Sequence, residues 1–518
     1  LPAWGPVKKY DFICLYNQDR EAKIQYNAVR YLIQVRIVSK YRFYLAAIVI
    51  GALCAAYFIY AEQKGDTLAV SSSLETAGIF PQTELTAYDM SLYLDINDRT
   101  LYGTTVIDTI NTSGQALEEL WFTAYPNAFH DPTRTPAPAD AYYSGFNEGW
   151  LKIDSFKVNG TPVEYQEEDI SVRAILPAPL PSDKKLKIEM TWRSKIPKLA
   201  YRYGYQNGVY MLGNFYPALN VLQGQEWHNP YNSKFGDPFC FQVANYQVRV
   251  NLPETYDMVS TGDTVNIAAE DNGRTLYWVQ ADQVRDFCLL VMYDYQESSQ
   301  EIKGRNIKCY APSNNSCIVN KIAEQSGEIL EYYSSAIGPY PYADFKIAFV
   351  PMKGFHGMEY SGLVFLREEF LHPGYDENKI QFILAHEIAH QWWYGMVGND
   401  QFREPWLDEG LANWSAYKYL EKCRGQSTPD MTAYQSGVKL NRQLDEMRSA
   451  QDYYNTAYDG GGAFWFGLEQ ELGEETVIKV LRNYLAANKF KIATTEDLLA
   501  AIKKEVPRDM ESYFDKWF

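Results

Sequence analysis

Apolar and polar positions along this chain change period twice. From about Leu85 the period is two. Met90, Leu92, Leu94 and Ile96 alternate with polar residues, as do Leu186, Ile188, Met190 and Trp192, and then Tyr246, Val248, Val250 and Leu252. Turn residues separate these runs at Asn97-Asp98, Asn159-Gly160, Pro181-Ser182-Asp183 and Asp271-Asn272-Gly273. The pattern predicts an antiparallel β-rich domain over 85–300 with one face of each strand buried. From Asn315 onward helical spacing takes over. Val319, Ile322, Ala323, Ile329 and Leu330 open a long amphipathic helix, and Phe345–Pro351 reads as a short apolar strand. After Gly473, Val477, Val480, Leu481 and Tyr484 mark another helix. Thr494-Thr495-Glu496-Asp497 caps a last one carrying Leu498, Ile502 and Val506, stopped by Pro507. The chain therefore reads as α+β, a β-rich domain followed by a mainly helical domain over 301–518.

The region before Leu85 follows neither period. Phe43–Ala61 holds nineteen residues without a charge, enough as a helix to span about 28 Å, the hydrocarbon thickness of a bilayer. Tyr41, Tyr44, Tyr57 and Tyr60 suit its two interfaces, and Arg36, Lys40 and Arg42 before it put the N-terminal side in the cytosol. The expectation is a basic cytosolic segment (1–42), a transmembrane helix (43–61) and a polar linker (62–84). The body would then lie extracytoplasmic on a cell membrane, single-pass unless further spans precede Leu1.

Charge changes the picture in one respect. The net charge of the 518 residues is −17. Residues 1–42 carry eight Lys/Arg against three Asp/Glu, net +5, which leaves −22 on the remainder. An acidic body excludes nucleic acid as a partner, because phosphates demand a basic face; it favours cationic ligands such as an α-ammonium. Of the seven cysteines, none forms a C-x-x-C pair, while Cys309 and Cys317 are near enough to staple a loop or to stay as two thiols.

The candidate chemistry sits in Gln381–Trp393, QFILAHEIAHQWW. On a helix His386 and His390 fall one turn apart on the same face and can share one metal ion. Glu387 beside the first His matches the general base of the H-E-x-x-H pattern. A catalytic zinc site needs three protein ligands and an open position. With eighteen residues between it and His390, Glu409 stands in EPWLDEGLANW, which opens a second helix able to return it to the metal.

With these motifs in order, the chain resembles the aminopeptidase N-like zinc metallopeptidases, a branch of the gluzincins. PNAF and the tract from NFYPALNV to GQEWHNPY resemble that family's β-domain. GFHGMEYSGLVF stands about where the family carries G-A-M-E-N. HEIAHQWW and EPWLDEGLANW supply the metal site, TAYDGGGAFW resembles the segment bearing a catalytic tyrosine, and SYFDKWF resembles the end of a thermolysin-like catalytic domain. The resemblance implies one Zn²⁺ per chain held by His386, His390 and Glu409. It makes Glu387 the base, Tyr458 a stabiliser of the oxyanion, and Glu359 the anchor for a substrate's α-ammonium. Gly357 and Met358 would border the substrate, with Met358 lining the pocket for the first side chain. Asp408 and Asn413 are candidates for orienting the ligands, with Tyr453 and Tyr454 as register alternatives to Tyr458. Peptides with free N-termini are the implied substrates.

Two departures bear on that reading. The exopeptidase motif here is H-G-M-E-Y, with His356 where the family prefers a small residue. Ala218 and Asn220 fall where many members carry a Gln and an acidic amine-binding residue. The competing enzymatic reading is an endopeptidase or a dipeptide-releasing peptidase of the same fold. The competing reading from another class is an inert membrane-anchored receptor or scaffold, which the intact set of ligands and base opposes.

Overall fold

The computed structural model describes residues 85–313, 316–428, 431 and 439–518. These residues fall in one compact unit, Gln82–Phe518. The expected cytosolic segment, membrane span and linker lie outside the described residues. Among the described residues no helix is long and apolar enough to cross a membrane.

The first half is β-rich, as the period of two predicts. An eight-stranded sheet runs from Asp263–Glu270 at one edge through Arg274–Val284, Ala244–Pro253, Thr86–Asp95, Thr100–Ile110 and Lys185–Lys195 to Trp150–Val158 and the short Thr161–Pro162. Along Lys185–Lys195, Leu186, Ile188, Met190 and Trp192 are buried while the residues between them are not, apart from Ser194 near the end. The expected turns carry the backbone such turns need: Asn159 (φ 50°) precedes Gly160 (φ 78°). The all-antiparallel expectation needs correction at one place. Thr86–Asp95 pairs parallel with Ala244–Pro253, because a period of two fixes which face is buried and says nothing about strand direction.

The helical half is built on a mixed five-stranded sheet ordered Tyr295–Ile302, Arg305–Pro312, Asp344–Val350, Leu363–Arg367 and Gly357–Tyr360. Its first strand begins at Tyr295, a few residues before the expected boundary at 300. One face of this sheet packs on helices Ser316–Ala336 and Glu377–Ala389. The other face meets the small sheet containing Val209–Leu212 and Leu289–Met292, and Met211, Leu290, Ala348, Met358 and Phe365 close the space between them. The edge strand Gly357–Tyr360 is thus held from one side by an apolar cluster, which leaves its other side for chemistry. Cys309 is a buried free thiol.

Candidate active site

Two helices supply most of the site. The first spans Glu377–Ala389, is capped by Asp376, whose carboxylate accepts from the Asn378 N–H at 3.0 Å, and buries Ile380, Ile383, Leu384 and Ile388. His386 lies in its last turn, and His390 is its C-terminal cap with the backbone still helical (φ −62°, ψ −15°). The one-turn spacing of the two imidazoles is therefore preserved although the helix ends between them. The second helix, Trp406–Arg424, carries Glu409 in its first turn and stops at Gly425 in the left-handed conformation.

The three side chains converge. His386 Nε2 lies 3.1 Å from His390 Nε2 and 3.1 Å from Glu409 Oε2, and His390 Nε2 lies 3.4 Å from the same oxygen. Three donors bound about 2.0–2.1 Å from one tetrahedral zinc would sit about 3.3 Å apart, so the triangle has the right size. The donor chemistry agrees. His390 Nδ1 donates to the Trp393 carbonyl at 3.0 Å, which leaves Nε2 as a lone pair facing the other donors. All three residues are at least 93% buried, and a buried carboxylate between two rings needs a cation. Burial opposes ionisation of Glu409, but the bonds from His386 and His390 outweigh it and hold the carboxyl below its usual range. The residues present fit a divalent cation.

Around this triangle the structure brings together the other expected residues, with one correction. Glu387 is buried against Gly357, where a Cβ would overlap its carboxylate; glycine is what lets helix and strand come this close. Burial pushes the Glu387 carboxyl up to about 8, with Glu409 and Asp237 adding to the rise and His390 opposing it. Glu359 lies two residues along the same strand, on the same face as Gly357. It too is buried and raised well above its usual range by burial, with His390 pulling the other way. Met358 points to the opposite face. It joins the apolar cluster with Val209, Met211, Leu290 and Phe365, so it does not line the substrate pocket; strand alternation forbids it while Gly357 and Glu359 face the site. His356 stacks on Phe370, ring centroids 6.1 Å apart.

Tyr458 arrives by helix packing. Gly410 and Gly461 let helices Trp406–Arg424 and Gly461–Leu472 touch: a Cβ on Gly410 would stand 2.7 Å from the Gly461 Cα. The wide π-helical turn Tyr454–Gly460 just before Gly461 then overhangs Glu409. The Tyr458 hydroxyl donates to Glu409 Oε1 at 2.6 Å and its ring stacks on His386 at 5.5 Å. Tyr453, the register alternative, reaches the same oxygen at 3.3 Å, and Tyr454 is 40% exposed at the rim. Asp408 accepts from Asn399 Nδ2 (3.0 Å) and Gln401 Nε2 (2.8 Å), fixing the start of the helix that presents Glu409.

Several contributors escaped the sequence reading. Asp237, in a buried ion pair with Arg202, adds negative charge that raises both Glu359 and Glu387. The Arg202 guanidinium lies 4.4 Å from the Phe355 ring centre. Gln391, next to the second ligand, accepts from Gly362 N–H (2.8 Å) and donates to the Tyr360 carbonyl (3.1 Å), tying the ligand helix to the hairpin that holds Glu359. Buried Arg285 donates to the carbonyls of Phe241, Tyr394, Gly395, Met396 and Lys491, clamping the turn after His390. Asp286 accepts from the Tyr394 hydroxyl (2.7 Å) and the Ser361 N–H (3.2 Å). The only sequence signal for these is a charged residue inside an apolar run. Ala218 and Asn220 do not border the metal triangle. They line a separate cavity with Tyr88 and Tyr246, and Asn220 is bonded to Thr123 and Asn229.

Residues 322–517 match the model described as the peptidase family M1 domain. Among curated proteins the chain is similar to "Aminopeptidase M1-B" of Oryza sativa subsp. japonica, 23% identical over 53% of this chain and 34% of that protein. It is also similar to "Aminopeptidase B" of Mus musculus, 24% identical over 54% of this chain and 46% of that protein. The chain thus spans about a third to a half of the length of these relatives. Among solved structures it resembles an M1 zinc metallopeptidase from Deinococcus radiodurans, with a TM-score of 0.62 at 17% identity, covering 84% of this chain and 92% of that one.

Proposed function

We propose that this chain is an aminopeptidase N-like, zinc-dependent aminopeptidase that removes N-terminal residues from peptides, a reading supported by the match of residues 322–517 to the peptidase family M1 domain. The observation that carries the reading is the buried triangle of His386, His390 and Glu409 with Glu387 on one side and Glu359 across from it. His386 Nε2, His390 Nε2 and Glu409 would hold a zinc ion, which would supply Lewis-acid chemistry, lowering the pKa of a bound water toward about 7.

The chain's own groups do the rest. Glu387 takes the proton from the attacking water and passes it to the leaving amine. Burial raises its carboxyl, and a cation held by the triangle would stabilise its charged form. The Tyr458 hydroxyl turns from Glu409 Oε1 to the carbonyl oxygen as negative charge develops there, and donates to it. Glu359 is a buried carboxylate with no ion pair among the described residues, and a substrate α-ammonium provides the missing charge. A peptide without a free amine offers nothing to offset that burial, which favours cleavage one residue from the N-terminus over internal cleavage. The test compares aminoacyl-arylamides with their N-acetylated forms. Cleavage of the free-amine series alone is expected, and equal cleavage of both sinks the role of Glu359 and moves the reading to an endopeptidase. We further read Phe43–Ala61 as the anchor of this enzyme, with the body extracytoplasmic. Expressed with and without 43–61, only the longer chain should stay with membranes after alkaline carbonate extraction; release of both removes the anchor.

A further inference from the structure

Among the described residues a second group has the make-up of a metal site. A ring nitrogen of His228, Sγ of Cys240 and a carboxylate oxygen of Asp400 lie within 4.8 Å of one another. His228 and Cys240 come from the β-rich half and Asp400 from the loop between the two site helices. We propose that His228, Cys240 and Asp400 form a second, structural site for a thiophilic divalent cation of the zinc type, distinct from the triangle at His386.

The donors are arranged for it. Asp400 Oδ1 is occupied by the N–H groups of Phe402 and Arg403, both at 3.0 Å. That fixes the carboxylate and leaves Oδ2 toward His228 Nδ1 at 2.7 Å. Arg403 Nε stands 3.7 Å from Oδ2, but its guanidinium is committed to Glu226 at 2.5 Å. Cys240 is 6% exposed. Imidazole, thiolate and carboxylate are the ligand types of zinc. The group opens into a cavity of about 280 Å³ that also reaches Asp445, which leaves room for a water as the fourth ligand. On loading, the thiol proton goes to solvent, and the imidazole shifts its proton to Nε2 to free Nδ1; no electrons are transferred.

The position suggests what the cation does. Residues 399–401 alternate. Asn399 and Gln401 hold Asp408, beside the ligand Glu409, while Asp400 between them turns to His228 and Cys240. The Gln401 N–H donates to the Phe239 carbonyl at 3.0 Å, one residue from Cys240. A cation here clasps the loop that sets Glu409 onto the β-rich half.

Cobalt(II) tests this without reference to peptidase activity. Thiolate ligation gives an intense near-ultraviolet charge-transfer band, which a site of two His and one Glu cannot give. The full chain loaded with Co²⁺ should show the band, and Glu409→Gln should keep it. Cys240→Ser should abolish it while far-ultraviolet circular dichroism is unchanged, and zinc content should fall from two per chain to one. Should Cys240→Ser not fold, His228→Gln, at a partly exposed position, should weaken the band by tenfold in cobalt affinity. Absence of the band in the unaltered chain, or its persistence in Cys240→Ser, overturns the proposal. Loss of the band in Glu409→Gln overturns it as well, since the two sites would not be distinct.

Discussion

The two walls of the candidate active site are built in different ways. The metal wall is local. His386, Glu387 and His390 share one helix end, Glu409 opens the next helix, and a glycine contact between Gly410 and Gly461 brings Tyr458 over them. The amine wall is long-range. Glu359 stands on an edge strand, Asp237 comes from the β-rich half, and the wall is held in place by Asp286 and Gln391 through bonds to backbone groups far away in sequence. The first wall owes its geometry to helical repeat and the second to a network of buried polar bonds. On the proposed function, chemistry that needs fixed donor spacing would sit on the first, and substrate registration, which depends on the distance between strand and helix, on the second. Damage to the two should therefore read out differently, in turnover for one and in substrate discrimination for the other.

The sharpest break in that comparison comes from the metal wall. Glu387→Gln is expected to lower kcat/KM by about 10³-fold, near the middle of the range for a positioned general base, with zinc content unchanged. Equal activity of the two proteins would remove Glu387 from the chemistry. Tyr458→Phe is expected to cost about 10²-fold in kcat with KM nearly constant, as for loss of one oxyanion donor. A change confined to KM would shift Tyr458 to the substrate-holding side, and Tyr453→Phe, measured in parallel, decides whether the neighbouring hydroxyl shares the task. The amine wall should respond by discrimination. Glu359→Gln is expected to lower kcat/KM for free-amine substrates by about 10- to 10²-fold, the value of a hydrogen bond to a charged group. It should do so while narrowing the gap to N-acetylated substrates. A uniform loss on both series would make Glu359 a structural carboxylate.

What could be read from the chain follows the same division. The H-E-x-x-H spacing and the return of Glu409 are encoded within a few helical turns, so His386, His390 and Glu409 were identifiable from spacing. The alternating strands and the capped helix after Thr494 were legible for the same reason, since burial periodicity is local. Strand direction is not, and the parallel pairing of Thr86–Asp95 with Ala244–Pro253 left no trace in the pattern. Tyr458 needed the family resemblance to stand out among its neighbours. Met358 was misplaced because adjacency to Glu359 in a motif suggests a shared pocket, whereas neighbours on a strand face opposite ways. Asp237, Arg285, Asp286 and Gln391 act through partners that only folding brings near, and a polar or charged residue inside an apolar run is the one local trace they leave.

Gln391 offers the finest test, because it follows directly on the ligand His390 and bonds to the hairpin of the second wall by its side chain. Gln391→Met keeps the side-chain length and removes both polar contacts, leaving the Gly362 N–H and the Tyr360 carbonyl without their partner. One unpaired buried group typically costs about 1–3 kcal/mol, so a loss of about 2–6 kcal/mol in unfolding free energy is expected for the two, read by denaturant titration. The ligands themselves are untouched, so zinc content should hold and kcat should fall only a few-fold. KM for free-amine substrates should rise more than kcat falls, because the strand carrying Glu359 loses its tie to the ligand helix while the His386–Glu409 triangle keeps its own. A larger fall in kcat than rise in KM would mean that the walls move as one body, and the division between a local chemical wall and a long-range registering wall would have to be given up.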